Sequence, residues 1–286
     1  MIEEIIFDYK NELMEFIKLD NARNYFIRLG LESEKDVFEK VYGYWNDEKR
    51  LTAALFKRVS GNLQFFAKDD FDADGFAEIL RNLEYEYLIS PESYCDVFLG
   101  RGLFELEREG AYIAKLEKLS WIENRSQSET GQLKNSVDTV EPERTKNSEK
   151  PNKQLGNIKK MTTTDIGEIA ELYEEVFNSF SSDAVMRKKL ETGRGRGVCI
   201  RAGNRILSVA QSEFENSNSA IIVGVATEKS HQGEGLATKC LESLISELID
   251  EGKDLYLQYD NPQAGEIYKK LGFIDIDRVK HYKKKR

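Results

Sequence analysis

Cysteine, histidine and proline are scarce in this chain, and long apolar runs are missing. The three cysteines, Cys95, Cys199 and Cys240, are scattered through 286 residues inside apolar segments. Without paired spacing they predict buried free thiols and argue against a disulfide framework or a zinc site. His231 and His281 are the only histidines, so no metal is expected. No apolar run approaches the roughly 20 residues of a membrane helix. The opening MIEEIIFDYK carries early acids where a secretion signal has a basic segment. The reading is a cytoplasmic protein with no membrane partner. Positive charge is also short, with 42 Lys and Arg against 51 Asp and Glu and a net charge of -9. A general nucleic-acid binder is therefore not expected, and KKKR at 283 to 286 reads as a solvated tail.

What is present falls into two parts around a polar stretch. Residues 124 to 156 hold no aromatic residue and are crowded with Ser, Asn, Thr, Lys and Glu. Such a stretch buries too little to offset its ordering entropy and reads as a linker. Its Asn124-Arg125-Ser126 sequon carries no meaning without secretion. The expected organisation is 1–123, a linker over 124–156, and 157–286.

After the linker, Ile166, Ile169, Ala170, Tyr173, Val176 and Phe177 recur at helical spacing, and a second helix is expected over 183 to 191. GVCIRAGNRILSVAQSEF predicts two strands around a turn at Ala202-Gly203-Asn204. SAIIVGVAT reads as a buried strand. Ala237, Leu241, Leu244, Ile245 and Leu248 share one face of a helix that stops near Gly252. Strand DLYLQYD, helix NPQAGEIYKKLGF and strand IDIDRVKHYKK complete the order. The first part reads as helices near 2 to 18 and 33 to 43, then the hairpin LTAALFKRV/NLQFFAKD, helix ADGFAEILRNL, strand YEYLIS, helix SYCDVFLGRGL and strand AYIAKLEKLSW. From the hairpin onward, β-β-α-β-α-β occurs in both parts, which suggests a diverged repeat.

HQGEGLAT, residues 231 to 238, lies between an apolar strand and an amphipathic helix. Glycines there weaken the helix start, so they point to a guest that must approach bare backbone. Unpaired N–H groups and a positive helix end would hold an anion. The octet lacks the Gly-Lys-Ser/Thr of a Walker loop, and Thr238 stands where a dinucleotide fingerprint needs a small residue. It does satisfy Gln/Arg-x-x-Gly-x-Gly/Ala through Gln232, Gly235 and Ala237. With the preceding IIVGVAT and the following DNPQAGEIYKKLGF, this resembles the acyl-coenzyme A signature of the GCN5-related N-acetyltransferase (GNAT) superfamily over 157 to 286. The resemblance implies an α/β chain with a mixed sheet and the acyl-CoA N-acyltransferase fold in its C-terminal domain. The smaller α/β domain before it reads as a degenerate GNAT-like half.

The resemblance further implies acetyl-CoA as co-substrate, without a metal, and an amine of a small molecule, amino acid or peptide as acceptor. The pantetheine would pair with backbone along Val225, Ala226 and Thr227. The pyrophosphate would take N–H groups from Gln232, Gly233, Glu234, Gly235, Leu236 and Ala237, with Thr238 adding a hydroxyl. Asn261 would bond the pantetheine amide. The Val225 N–H is the expected oxyanion donor, and Tyr268 is either the acid that protonates the leaving thiolate or a packing tyrosine in contact with pantetheine. Glu213 and Glu215, which period-two alternation puts on one face, are either the base or solvated edge acids. Two non-catalytic readings stand beside the enzyme: an acyl-CoA sensor and an interaction scaffold.

Three other features carry less. DDFDADG at 69 to 75 opens like a calcium loop, but Arg81 takes the place of its closing glutamate, so a helix start capped by aspartates is expected. Those carboxylates would repel a pyrophosphate, so the first domain is expected to bind no CoA. GRGRG at 193 to 197 reads as a flexible basic loop, and LGRGL at 99 to 103 lacks both the motif's first residue and its leading strand.

Overall fold

The computed structural model describes residues 1–5, 10–33, 36–118, 121, 157–178 and 180–285; the linker expected over 124–156 lies outside them. The chain forms two compact units. The first comprises Met1–Ala114, Gln258–Asp260 and Asp275–Arg286, the second Lys115–Leu257 and Asn261–Ile274. Elements of the first unit are β1 (Ile2–Glu4), α1 (Lys10–Ile17), α2 (Tyr25–Glu32), β2 (Phe38–Trp45), β3 (Leu51–Arg58), β4 (Leu63–Ala67), α3 (Ala73–Asn82), β5 (Tyr87–Pro91), α4 (Glu92–Cys95) and β6 (Phe104–Leu116). There follow β7 (Ile158–Lys160), α5 (Ile166–Val176), α6 (Asp183–Glu191), β8 (Gly197–Ala202), β9 (Arg205–Glu213), β10 (Ser219–Thr227), α7 (Leu236–Asp250), β11 (Asp254–Tyr259), α8 (Pro262–Lys270) and β12 (Phe273–Lys284).

The first unit's strands run β1-β2-β3-β4-β5-β12-β6 and the second's run β11-β10-β9-β8-β7. In each unit one parallel pair is joined by a crossover helix: β4 and β5 through α3, β10 and β11 through α7. Period-two alternation on β3 explains the double burial of the first sheet. Ala53 and Leu55 join Phe65, Phe76 and Leu80 on one side, while Ala54 and Phe56 join Leu13, Phe16 and Ile27 on the other. In the second unit Ile166, Ile169, Leu172 and Tyr173 of α5 pack with Cys199 and Val209. Helix α7 buries Leu236, Cys240, Leu241, Leu244, Ile245 and Leu248. Truncating one of these fully buried leucines to alanine costs about 2–5 kcal/mol.

Two expected helices of the first part come out differently. Ile2–Glu4 is a strand paired with β2, and α1 spans Lys10–Ile17. The stretch expected as a helix over 33 to 43 is largely β2, where FEKVYGYW concentrates aromatic and β-branched residues suited to a pleated surface. The last strand belongs with the first unit, although its sequence continues 157–286. Val279 through Lys283 pair antiparallel with Pro91 through Tyr87. The buried Asp277 carboxylate takes Arg23 Nε at 2.6 Å and the Ser93 hydroxyl. Strand propensity marks such a segment but does not say which sheet receives it.

All three cysteines are buried and free. Among the described residues, no helix is long and apolar enough to cross a membrane.

Candidate functional site

The second unit's site is built around a break in β10. Ile221 to Val223 pair with Glu213 to Gln211 on β9, and pairing resumes one residue out of step at Ala226 opposite Val209. Gly224 and Val225 therefore oppose the single residue Ala210, which is a β-bulge. Gly224 adopts a φ of +59°, and a Cβ there would collide with the Tyr173 hydroxyl, so glycine is needed on both counts. On the other side β10 pairs with β11 only from Ser219 opposite Asp254 to Ile222 opposite Leu257. The two parallel strands stop pairing where the bulge begins, so their carboxyl ends leave β10 backbone for a ligand to add to as a strand.

Beyond the bulge, Thr227 leads through a short 3-10 turn, Lys229–His231, into the octet. Gly233 has φ +84° and Gly235 φ +76°, and a Cβ at either would meet nothing within 4 Å. The glycines answer to left-handed backbone and to open space above it, not to crowding. Gly235 is the N-cap of α7 and offers the first turn no side-chain cap. A 15-residue helix thus presents its positive end uncapped. These residues fit the anionic diphosphate of acetyl-CoA, which the Gly233, Glu234 and Gly235 backbone and the Leu236, Ala237 and Thr238 N–H groups would hold. The Leu236 side chain is buried and contributes backbone alone. Gln232 differs from the expected donor: its N–H goes to Lys229 O at 3.5 Å and its side-chain amide to Thr227 O at 3.1 Å, so it closes the turn. Ala226 is buried too, its carbonyl accepting from the Ser208 hydroxyl.

Asn261 and Tyr268 belong to the same unit, on α8. Asn261 Oδ1 caps the helix through Gln263 N at 2.9 Å, which leaves its side-chain N–H groups as donors. Tyr268 is 8% exposed and lies edge-on to Phe273, and burial pushes its phenol up to about 12.

The two glutamates depart from both readings. Glu213 is buried in an ion pair with Lys189 at 3.0 Å, and burial lowers the lysine's affinity for its proton. Glu215 is buried against Arg196 at 2.7 Å and accepts from the Ser212 hydroxyl. Phe214 between them has φ +51°, which ends the alternation and sends the carboxylates to different partners. They are neither solvated nor on one face. GRGRG is likewise no flexible loop: Arg196 joins Glu215 and Glu251, and a Cβ at Gly195 would strike Ser212 O.

Sequence reasoning missed three contacts on β10 and the turn after it. Tyr173 donates to Gly224 O at 2.7 Å, Gln211 Nε2 donates to Tyr173 Oη, and Glu175 accepts the Lys229 N–H at 3.2 Å. Tyr173 stands in the apolar stripe of α5, so its hydroxyl was the only signal.

The first unit's counterpart is closed. Only Leu63 opposite Leu88 pairs β4 with β5, and beyond it the Ser90 hydroxyl accepts from Phe65 N–H at 2.7 Å and donates to Phe65 O at 3.1 Å. Asp72 caps α3, accepting from Gly75 N at 2.8 Å.

No curated protein matches the chain. Across all of both chains it is similar to a GNAT-family acetyltransferase from Colwellia psychrerythraea, at 12% identity and a TM-score of 0.66. A tandem GNAT protein from the clavulanic acid biosynthesis pathway matches at 11% identity and a TM-score of 0.58, over 99% of this chain and 98% of that one. A GCN5-related N-acetyltransferase from Kribbella flavida matches at 13% and 0.52, over 82% and 87%. At such identities these likenesses speak for the fold alone, a GNAT fold in tandem form. The model of the family described as GNAT acetyltransferase matches residues 116–282. With more than half its length matched, the chain belongs to the GNAT acetyltransferase family.

Proposed function

We propose that this protein is an N-acetyltransferase that moves an acetyl group from acetyl-CoA to a primary amine of a small molecule, amino acid or peptide within a ternary complex. The observation that carries this reading is the uncapped glycine start of α7 immediately after a bulged strand whose parallel pairing has ended. The diphosphate would rest on the octet backbone, the pantetheine along Val225 to Thr227, and Asn261 would donate to its amide.

A neutral amine attacks the thioester carbon, a C–N bond forms and the C–S bond breaks. The Val225 N–H is the donor for charge developing on the thioester oxygen. Tyr268 supplies a proton to the departing sulfur. The buried phenol, pushed up to about 12, is protonated at neutral pH and is lost as a donor only as pH rises through that value. Glu213 and Glu215 are each occupied by an ion pair, with Lys189 and Arg196, so the amine's proton is assigned to solvent.

Calorimetric titration of acetyl-CoA into the parent and into Gly235→Glu tests the site. Binding to the parent that the variant loses supports it, and no binding to the parent sinks the acetyltransferase reading. Turnover of a panel of amines then separates enzyme from acyl-CoA sensor. Tyr268→Phe is expected to lower kcat about 100-fold with the acetyl-CoA Kd little changed, and an unchanged kcat would make Tyr268 a packing residue.

A further inference from the structure

The bulge is held from one side by a chain of buried donors. Gln211, 1% exposed, donates through Nε2 to Tyr173 Oη, and Tyr173, 3% exposed, donates its hydroxyl proton to Gly224 O at 2.7 Å. Tyr173 reaches this point from α5, about two turns into a helix whose Ile166, Ile169 and Leu172 are locked in the core, so the phenol has a fixed origin. Phe177 and Phe180 set their rings edge-on to it, at 5.1 and 5.6 Å. Burial raises the phenol's pKa far above its ordinary value, which keeps it a donor at any working pH.

The Gly224–Val225 peptide bond is trans, as are all those in the described chain. In a trans peptide the C=O and the following N–H point in opposite directions. Anchoring the Gly224 carbonyl on the α5 side therefore aims the Val225 N–H away from α5. That peptide lies in the bulge, between Val223 and Ala226 in the β9 register and beyond Ile222 in the β11 register, so the Tyr173 bond is a contact that fixes its carbonyl. A hydrogen bond to the C=O also polarises the same amide and strengthens its N–H as a donor.

We infer that Tyr173, backed by Gln211, is a positioning residue that orients and polarises the Val225 N–H toward the acyl carbonyl. The inference rests on the acetyltransferase reading and deepens it by naming what fixes the oxyanion donor. Gln211 donates to Tyr173, Tyr173 donates to the Gly224 carbonyl, and the Val225 N–H of the same peptide donates onward to the thioester oxygen. Glu175, two residues along α5, holds the Lys229 N–H ahead of the phosphate octet, so the same helix braces both ends of the cofactor track.

The test compares the parent, Tyr173→Phe and Gln211→Leu by infrared spectroscopy of bound acetyl-CoA labelled with 13C at the thioester carbonyl, alongside calorimetry and steady-state kinetics. The parent is expected to shift the carbonyl stretch to lower frequency, Tyr173→Phe to lose most of that shift, and Gln211→Leu to lose part of it. The acetyl-CoA Kd should stay within about threefold, because the diphosphate contacts are untouched. With an active amine, kcat should fall about tenfold in Tyr173→Phe with KM little changed, less than the 100-fold or more seen when an oxyanion donor is removed outright. A full shift and full kcat in both variants would overturn the positioning role. If Tyr173→Phe fails to fold, Gln211→Leu decides: a carbonyl shift unchanged from the parent overturns the inference. A parent that binds no acetyl-CoA overturns the underlying reading instead.

Discussion

The two βα junctions of this chain, β4 into α3 and β10 into α7, are built alike and finished oppositely. Each is the crossover of the parallel pair in its own sheet. At β4–α3 the helix start is capped by Asp72, and Ser90 occupies both the N–H and the C=O of Phe65. At β10–α7 the cap position is a left-handed glycine with no side-chain bond, and the strand carries a bulge. Backbone groups that one unit satisfies internally, the other leaves for something else to satisfy. The open helix start is the feature on which the proposed site rests, and the closed one is structural.

The largest expected effect is on that asymmetry. Gly235→Glu places a Cβ on φ +76° backbone and a carboxylate over the helix start, and acetyl-CoA affinity should fall at least 100-fold. The reciprocal change, Asp72→Gly, should create no acetyl-CoA binding in a Gly235→Glu background, since Ser90 still closes Phe65. Measurable binding to that double variant would show that the cap alone separates the two junctions. Calorimetry reads both.

Ser90→Ala should cost about 1–3 kcal/mol, the penalty for orphaning buried backbone groups. Asp72→Ala should cost about 1 kcal/mol, the value of an exposed N-cap. Both losses belong to the first unit. The only two tryptophans allow this to be read locally, since Trp45 lies in the first unit and Trp121 in the second. Urea unfolding followed in Trp121→Phe and Trp45→Phe backgrounds should show the shift with the Trp45 signal. Equal shifts of both signals would mean that the units unfold as one.

Much of this contrast was legible in the sequence. An aspartate-capped helix start after DDFDADG, the glycines of HQGEGLAT as bare backbone at a helix start, and the strand and helix around them follow from turn chemistry and periodicity, which are local. What was not legible depends on contacts distant in sequence. Ser90 is an unremarkable serine until β5 places it beside Phe65. Tyr173 looks like one more apolar position of α5. Glu213 and Glu215 look like solvated acids until α6 supplies the buried Lys189 and the turn before β8 the half-buried Arg196. The final strand shows the same limit, because pattern identifies IDIDRVKHYKK as a strand while Asp277, Arg23 and Ser93 determine where it pairs.

The smallest expected effect separates the units by acidity. Hydrogen bonds from Arg196 and then Lys253 hold the Glu251 carboxyl down to about 2, and Lys118 and Lys115 lower Asp254. A carboxyl whose folded pKa is depressed contributes stability that is complete above its unfolded value, near 4.5 for Glu251, and lost as pH falls through about 2. The second unit should therefore weaken across that window, modestly, because Glu251 is exposed enough for solvent and salt to screen it. Arg196→Gln should flatten this dependence for the Trp121 signal and leave the Trp45 signal unchanged. A profile as steep in the variant as in the parent would assign the acid sensitivity to other carboxylates. The Arg196 network would then be packing for the turn that carries Gly195, with its charges contributing little.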